Sequence, residues 1–254
     1  MNTEKYLNRL EYTGSLHPTL EVLSQLQEAH VLHIPFENLD IHYGVPIELD
    51  IGRIFSKVVL NGRGGFCYEL NGLFHELLRT LGFHAKRIAA RVYDKANGYG
   101  PPYDHLAILV EIEGVTYLSD VGFGEFAFSP LRLETGIIQK DIRGEFIIEH
   151  AEDNYYRVSK SENGILVPQY IFTPKACEFR EFNEMCHYHQ SNPHSHFTQN
   201  VLITRPTPGG RITITKDTLK ITNGGSVRET HLETEEAFPE MVRKYFGIEL
   251  KRDK

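Results

Sequence analysis

The stretch HLAILVEIEGVTYLSD, residues 105–120, holds two apolar runs on either side of Glu113-Gly114. A two-residue connection with glycine second is a strong hairpin signal, because the tight turn needs positive φ. Ile112 then faces Val115, and counting back along the strands sets Ala107 opposite Asp120. His105 lies two residues from Ala107, on the same face and diagonal to Asp120. Diagonal neighbours stand about 7–8 Å apart at the backbone, within reach of two polar side chains. The hairpin therefore predicts an imidazole beside a carboxylate at its open end.

The same pattern extends through the middle of the chain. HAKRIAARVY, EFIIEH, YYRVSK and GILVPQYIF are short apolar or alternating runs separated by turns, which suggests an antiparallel barrel or sandwich from Phe83 onward. Before them the periodicity is helical. The expected helices cover residues 3–11, a segment from Pro18 that stops short of Pro35, residues 51–60, and one starting at Cys67 and stopped by Gly82. After residue 190, VLITRP, GRITITKDTLKIT and SVRETHLE read as further strands. TEEAFPEMVRKYFG reads as a closing helix with Thr234 as cap and Gly247 as stop. The fold class is α+β, in three lobes: a helical bundle over residues 1–82, a β unit over 83–190 and an α/β unit over 191–254.

RGGFCYELN, residues 63–71, puts Cys67 in the first turn of its helix, with Leu70, Leu73, Phe74 and Leu77 on the apolar face. Free N–H groups and the helix dipole favour an anion there and raise the thiolate fraction. The plainer reading is a buried structural cysteine, since free cysteines usually pack inside. The hairpin supplies what a nucleophile needs. His105 would take the thiol proton, while Asp120 would fix the imidazole tautomer and stabilise the imidazolium.

The totals restrict the reading. Of 254 residues, 41% are hydrophobic and 24% charged, as in ordinary soluble proteins. A net charge of −7 argues against a nucleic-acid surface, and any phosphorylated ligand must be held by local positive charge. No apolar run approaches the roughly 18 residues that a membrane helix requires. Cys67, Cys177 and Cys186 cannot all pair within one chain, and MNTEKYLNRLEY lacks the apolar stretch of a secretion signal. A reducing cytoplasm is the expected setting.

The blocks IPFENLDIHYG (34–44), RGGFCYELN (63–71), DHLAILVEI (104–112) and YLSDVGFG (117–124) resemble the arylamine N-acetyltransferase family in order, spacing and flanking residues. The likeness runs on through SNPHSHFTQN and TPGGR and covers nearly the whole chain. It implies a helical bundle, a β-barrel and an α/β lid around a cysteine-protease-like core with Cys67, His105 and Asp120 as its triad. It also implies ping-pong acetyl transfer from acetyl-CoA to an arylamine or hydrazine through an acetyl-cysteine, without a metal. A transglutaminase-like or papain-like hydrolase shares the ordered triad, but the papain signature around the cysteine is absent. A polyketide amide synthase of the same family is a nearer rival. A non-catalytic binding module that kept the fold is a third class, and the intact triad counts against it.

Further residues take roles beside that core. Glu37 reads best as a buried salt-bridge partner of Arg63, a pairing the resemblance also suggests, and Asn71 as a hydrogen-bonding support. Phe36 and Phe123 stand in motifs beside the triad and are expected to line an apolar slot for the amine. The loop around Tyr103 is expected to contribute to substrate binding through a backbone N–H for the oxyanion. In TRPTPGGR, Thr207, Gly209 and Gly210 are candidate CoA contacts through exposed backbone N–H groups, with Arg211 nearby. CHYHQSNPHSHF offers metal-ligand residue types, but His187 and His189 alternate as strand residues do and the paired spacing of a zinc site is missing.

Overall fold

Thr3–Arg9, Leu20–His33, the run from Ile51 through Leu60, and Cys67–Thr80 form the longer helices of the N-terminal part of this computed structural model, which describes residues 1–234 and 236–250. Local signals account for them. The Thr19 hydroxyl accepts from the Val22 N–H, and the Asp50 carboxylate from the Arg53 N–H at 2.9 Å, each capping a helix start. The run Ile51–Phe55 is α-helical and loosens into a π turn over Ser56–Leu60. Cys67–Thr80 has no Ser, Thr or Asp cap. Instead Glu69 Oε2 reaches back to accept from the Phe66 N–H at 3.1 Å.

The central sheet is antiparallel, with strands in the spatial order Leu131–Arg132, Val115–Ser119, His105–Ile112, His84–Asp94, Ile165–Ala176, Tyr156–Glu162, Gly144–His150 and Ile138–Asp141. A bridge from Thr135 to Ile148, with the Gly136 N–H donating to the Ile148 carbonyl, draws its two ends together. The result is a nearly closed barrel, filled by Phe126, Phe146, Tyr170, Phe172 and their aliphatic neighbours. The opposite face of the central strands, through Leu106, Ile108 and Val110, packs against the Cys67 helix and the bundle.

A second antiparallel sheet takes Leu202–Thr207, Gly210–Thr215, Thr218–Asn223 and Ser226–His231, and helix Ala237–Phe246 covers it with Val242 and Phe246. Its remaining strand, Phe36–Glu37, comes from the N-terminal part and pairs with Thr204 and Ile203. Asn38 secures that junction. Its Nδ2 donates to the carbonyls of Phe197 and Asn200, and its Oδ1 accepts from the Leu202 N–H at 2.8 Å.

Three local readings need correction. GRITITKDTLKIT is two strands that turn at Lys216-Asp217. The closing helix begins at Ala237 with Glu236 in the cap position, so Thr234 is not its cap, although Gly247 ends it at φ 69° as read. His187 and His189 lie in a helix, Asn183–Ser191, not a strand. Phe182, Cys186 and His189 are the buried residues there, at helical spacing, and the alternation of histidines misled.

Candidate active site

The 105–120 hairpin forms as its sequence predicts. Glu113 and Gly114 take φ of 51° and 78°, and the ladder runs from Ile112 with Val115 to Ile108 with Ser119. It stops one pair short of Ala107 and Asp120, where the chain leaves the sheet. There His105 Nε2 donates to Asp120 Oδ2 at 2.7 Å, both side chains being buried.

Asp120 is the most heavily donated-to carboxylate of the site. Oδ1 accepts from Asn71 Nδ2 at 2.8 Å and from the Gly122 and Phe123 N–H groups at 2.9 and 3.0 Å. Oδ2 accepts from His105 and from the Tyr170 hydroxyl at 3.1 Å. Asn71, one turn into the Cys67 helix, also donates to the Leu106 carbonyl and accepts from the Val121 N–H. One side chain thus ties the helix to both strands of the hairpin. The Nε2 bond fixes the tautomer and leaves Nδ1 as the ring nitrogen not engaged by the carboxylate.

Cys67 is the first residue of its helix and 4% exposed. It shares with His105 a cavity of about 370 Å³. The loop after Asp120 passes so close that a Cβ on Gly122 would lie 2.8 Å from Cys67 Cα and 2.7 Å from Asn71 Nδ2. Only glycine fits there. Tyr68 anchors the loop before His105, its hydroxyl donating to the carbonyls of Tyr103 and Asp104 at 2.8 and 3.1 Å.

Burial pushes the Cys67 thiol well up, and the carboxylates Asp104 and Asp120 push it the same way. In the sequence only the helix terminus and the imidazole bear visibly on this thiol; folding adds desolvation and a second carboxylate. A thiolate in such surroundings requires a cation beside it, and His105 is the imidazole that shares the cavity.

Phe36 and Phe123 line the cavity, joined by Phe197 from the C-terminal part. Phe123 packs edge-on against His105 at 5.4 Å and against Tyr170 at 5.2 Å. The Tyr103 side chain is not in the cavity wall: it packs on Phe182 and donates to Glu181 Oε1 at 3.0 Å. Its backbone remains beside the site, at φ 63°. Thr207, Gly209 and Gly210 line a neighbouring cavity instead. Gly210 is paired with Thr207 and Asn223 in the sheet, and a Cβ on it would stand 2.1 Å from the Thr222 carbonyl oxygen, so strand packing already explains the glycine.

Glu37, fully buried, meets Arg63 at 2.8 Å, and the pair belongs to a larger network. Arg63 also holds Asp40 at 2.7 Å, while Lys57 holds Asp40 at 2.7 Å and Glu69 at 2.9 Å. The network braces the segment that delivers Cys67. Residues with no local motif complete the site: Tyr68, Tyr170, Phe197, and His189, whose Nε2 lies 3.1 Å from Asp104 Oδ1 on the cavity wall. In Tyr68 the signal was adjacency to Cys67; for the others it exists only in three dimensions. Among the described residues, no group of His, Cys, Asp and Glu is placed to hold a metal.

The sequence profile of the N-acetyltransferase family matches residues 19–254. An arylamine N-acetyltransferase of Mycobacterium bovis is 32% identical over 96% of this chain and 88% of its own length. The solved arylamine N-acetyltransferase of Mycobacterium tuberculosis superposes with a TM-score of 0.91 at 32% identity, covering 97% of this chain and 94% of that one. The Mycobacterium marinum enzyme in complex with CoA superposes at 0.90 with 30% identity, covering 97% and 93%. Likeness of this extent, in sequence and in fold, places the protein in the arylamine N-acetyltransferase family of acyltransferases.

Proposed function

We propose that the protein transfers an acetyl group from acetyl-CoA to the nitrogen of arylamines or hydrazines in a ping-pong reaction, with Cys67, His105 and Asp120 as its catalytic triad. The observation that carries this reading is the His105–Asp120 bond of 2.7 Å opening onto the same cavity as a cysteine at a helix start. His105 takes the proton of Cys67, and the thiolate attacks the thioester carbonyl. The C–S bond to CoA breaks, and the departing sulfur takes the proton from His105. The amine then attacks the acetyl-cysteine, its proton passes through His105 to Cys67, and the amide leaves. Because one thioester is exchanged for another, the first half-reaction is close to neutral in energy. The Cys67 N–H and a backbone N–H near Tyr103 are the oxyanion donors, and Phe36 and Phe123 receive the aromatic ring.

The helical, barrel and C-terminal units of residues 1–82, 83–190 and 191–254 divide the labour: nucleophile, base with its carboxylate, and a wall for the donor. Thr207, Gly209 and Gly210 meet the CoA moiety. The free state of Cys67, Cys177 and Cys186 suits a reducing cytoplasm, and no helix among the described residues is long and apolar enough to cross a membrane. Intact mass after exposure to acetyl-CoA without amine tests the chemistry. The expected result is one acetyl group on Cys67, discharged by an added arylamine. Acetylation at Cys177 or Cys186, or an acetyl-Cys67 that amines do not discharge, overturns it.

A further inference from the structure

A cavity of about 420 Å³ opens where the barrel meets the C-terminal sheet. A narrower gap shares Phe36, Phe123 and Thr204 with the Cys67 cavity, and Phe128 and Arg211 with this one, so the two cavities are neighbours. Three cations on its wall converge on one carboxylate. Glu125 Oε2 accepts from Arg143 Nη2 and Lys160 Nζ at 3.0 Å each, and Oε1 lies 3.1 Å from Arg211 Nε. The side chains of Arg143, Lys160 and Arg211 are 12, 13 and 15% exposed, whereas that of Glu125 is 52% exposed.

The balance is wrong for a cluster that only holds the fold together. Three largely enclosed cations face a single carboxylate in a chain whose net charge is −7. The Nε of Arg143 is buried with no hydrogen-bond partner. Burial, reinforced by the charge of Arg143, lowers Arg211 to about 10 despite the carboxylate beside it. Burial would raise Glu125, but Arg211, Lys160 and Arg143 outweigh it and hold its carboxyl below the usual range. The site attracts negative charge beyond what Glu125 supplies, and Glu125, half in solvent, is the member free to move away.

We propose that Arg143, Lys160 and Arg211 form the subsite for a phosphate group of the acyl donor, and that Glu125 is an internal stand-in that the phosphate displaces. The assignment rests on acetyl-CoA being that donor. A phosphate matches the cluster better than a carboxylate does: it carries more charge, and its oxygens satisfy three converging donors at once. Charge concentrated in one cleft also resolves how an acidic protein binds a polyanion. Arg143 comes from the turn before the strand Gly144–His150, Lys160 and Arg211 from strands of the two sheets, and Glu125 from the loop after Asp120, so no local motif announces them.

The test compares KM for acetyl-CoA with KM for S-acetylpantetheine, the same thioester without phosphates, in the full chain with one arylamine. Glu125→Gln is expected to lower the acetyl-CoA value about tenfold relative to the other, by removing the competitor. Arg143→Gln combined with Lys160→Gln is expected to raise that ratio about tenfold or more. Inorganic pyrophosphate, followed by thermal unfolding, reads the subsite without turnover. It should stabilise Glu125→Gln more than the unaltered protein and leave the double variant unmoved. A ratio unchanged in both variants, or a Glu125→Gln protein with weaker acetyl-CoA and pyrophosphate binding, overturns the proposal. If pyrophosphate behaves as expected but acetyl-CoA never acetylates the unaltered protein, the acetyl-transfer reading fails and the anion subsite stands.

Discussion

Arg63→Met is the sharpest perturbation of the bracing network. It removes the guanidinium that meets Glu37 Oε1 at 2.8 Å and Asp40 Oδ1 at 2.7 Å. Three carboxylates then face Lys57 alone, which is 2.7 Å from Asp40 and 2.9 Å from Glu69 but 4.0 Å from Glu37. Glu37 keeps only the Leu39 N–H at 2.7 Å as a close donor. Leaving a buried charge without its partner costs about 3–5 kcal/mol. Glu37→Gln is the informative contrast. It leaves Arg63 on Asp40 and reduces the network to two carboxylates and two cations, so its cost is about 1–3 kcal/mol. The carboxyl of Asp40 works against burial but is held low by Lys57 and Arg63. Its contribution is therefore present above the ordinary carboxylate range and lost as pH falls through the depressed value. Arg63→Met should move that acid loss to higher pH. The assay is urea unfolding of both variants at neutral pH, with a pH series for Arg63→Met, comparing midpoints at constant slope. Equal losses, or a larger loss in Glu37→Gln, would refute the charge-balance reasoning.

The site yields three further expectations. In His105→Ala, burial, Asp104 and Asp120 still raise the Cys67 thiol with no cation to offset them, so it should titrate above the ordinary value near 8.5. Iodoacetamide alkylation at pH 7 should fall by more than about thirtyfold, and adding Asp104→Asn should restore part of it; alkylation as fast as in the unaltered protein counts against the triad. Asp120→Asn puts an amide N–H₂ in place of one of two oxygens that together accept from five donors and should lower kcat by about a thousandfold or more while the fold survives, as measured by steady-state kinetics beside circular dichroism. Tyr170→Phe removes one of those donors and should cost about two- to tenfold in kcat with the KM for amine little changed; no change at all would show that the hydroxyl merely packs.

The legible parts of this protein were those where one local signal decides. Glu113-Gly114 sets a register, the register sets His105 against Asp120, and the distance of 2.7 Å follows from residues only fifteen apart. A helix stop was equally plain where glycine supplies it, as at Gly247. What escaped depends on distant strands meeting. Tyr170 reaches Asp120 from the far side of the barrel, and Phe197 enters the cavity from the C-terminal part. The Asn183–Ser191 helix was hidden because its histidines imitate strand alternation, while its real signal is the spacing of Phe182, Cys186 and His189. The thiol's surroundings were misjudged for a related reason: Asp104 stands one residue before His105, yet which way it faces is settled only by Val92 and His189.

The pairing of Phe36–Glu37 with Ile203 and Thr204 also bears on the order in which the molecule is made. A nascent chain emerges from its N-terminus, and early segments fold while later ones are still being synthesised. The residues that clasp Asn38, at Phe197, Asn200 and Leu202, belong to the last quarter of the chain to appear. Until then the edge beside Glu37 has no strand to meet, and Phe197 is missing from the wall of the Cys67 cavity. Cys67, translated in the first third, therefore waits for the end of synthesis before its pocket can close. A truncated product ending before Asn200 would carry an intact Cys67 helix and an open, unpaired sheet edge, which makes it a substrate for quality control rather than a smaller enzyme.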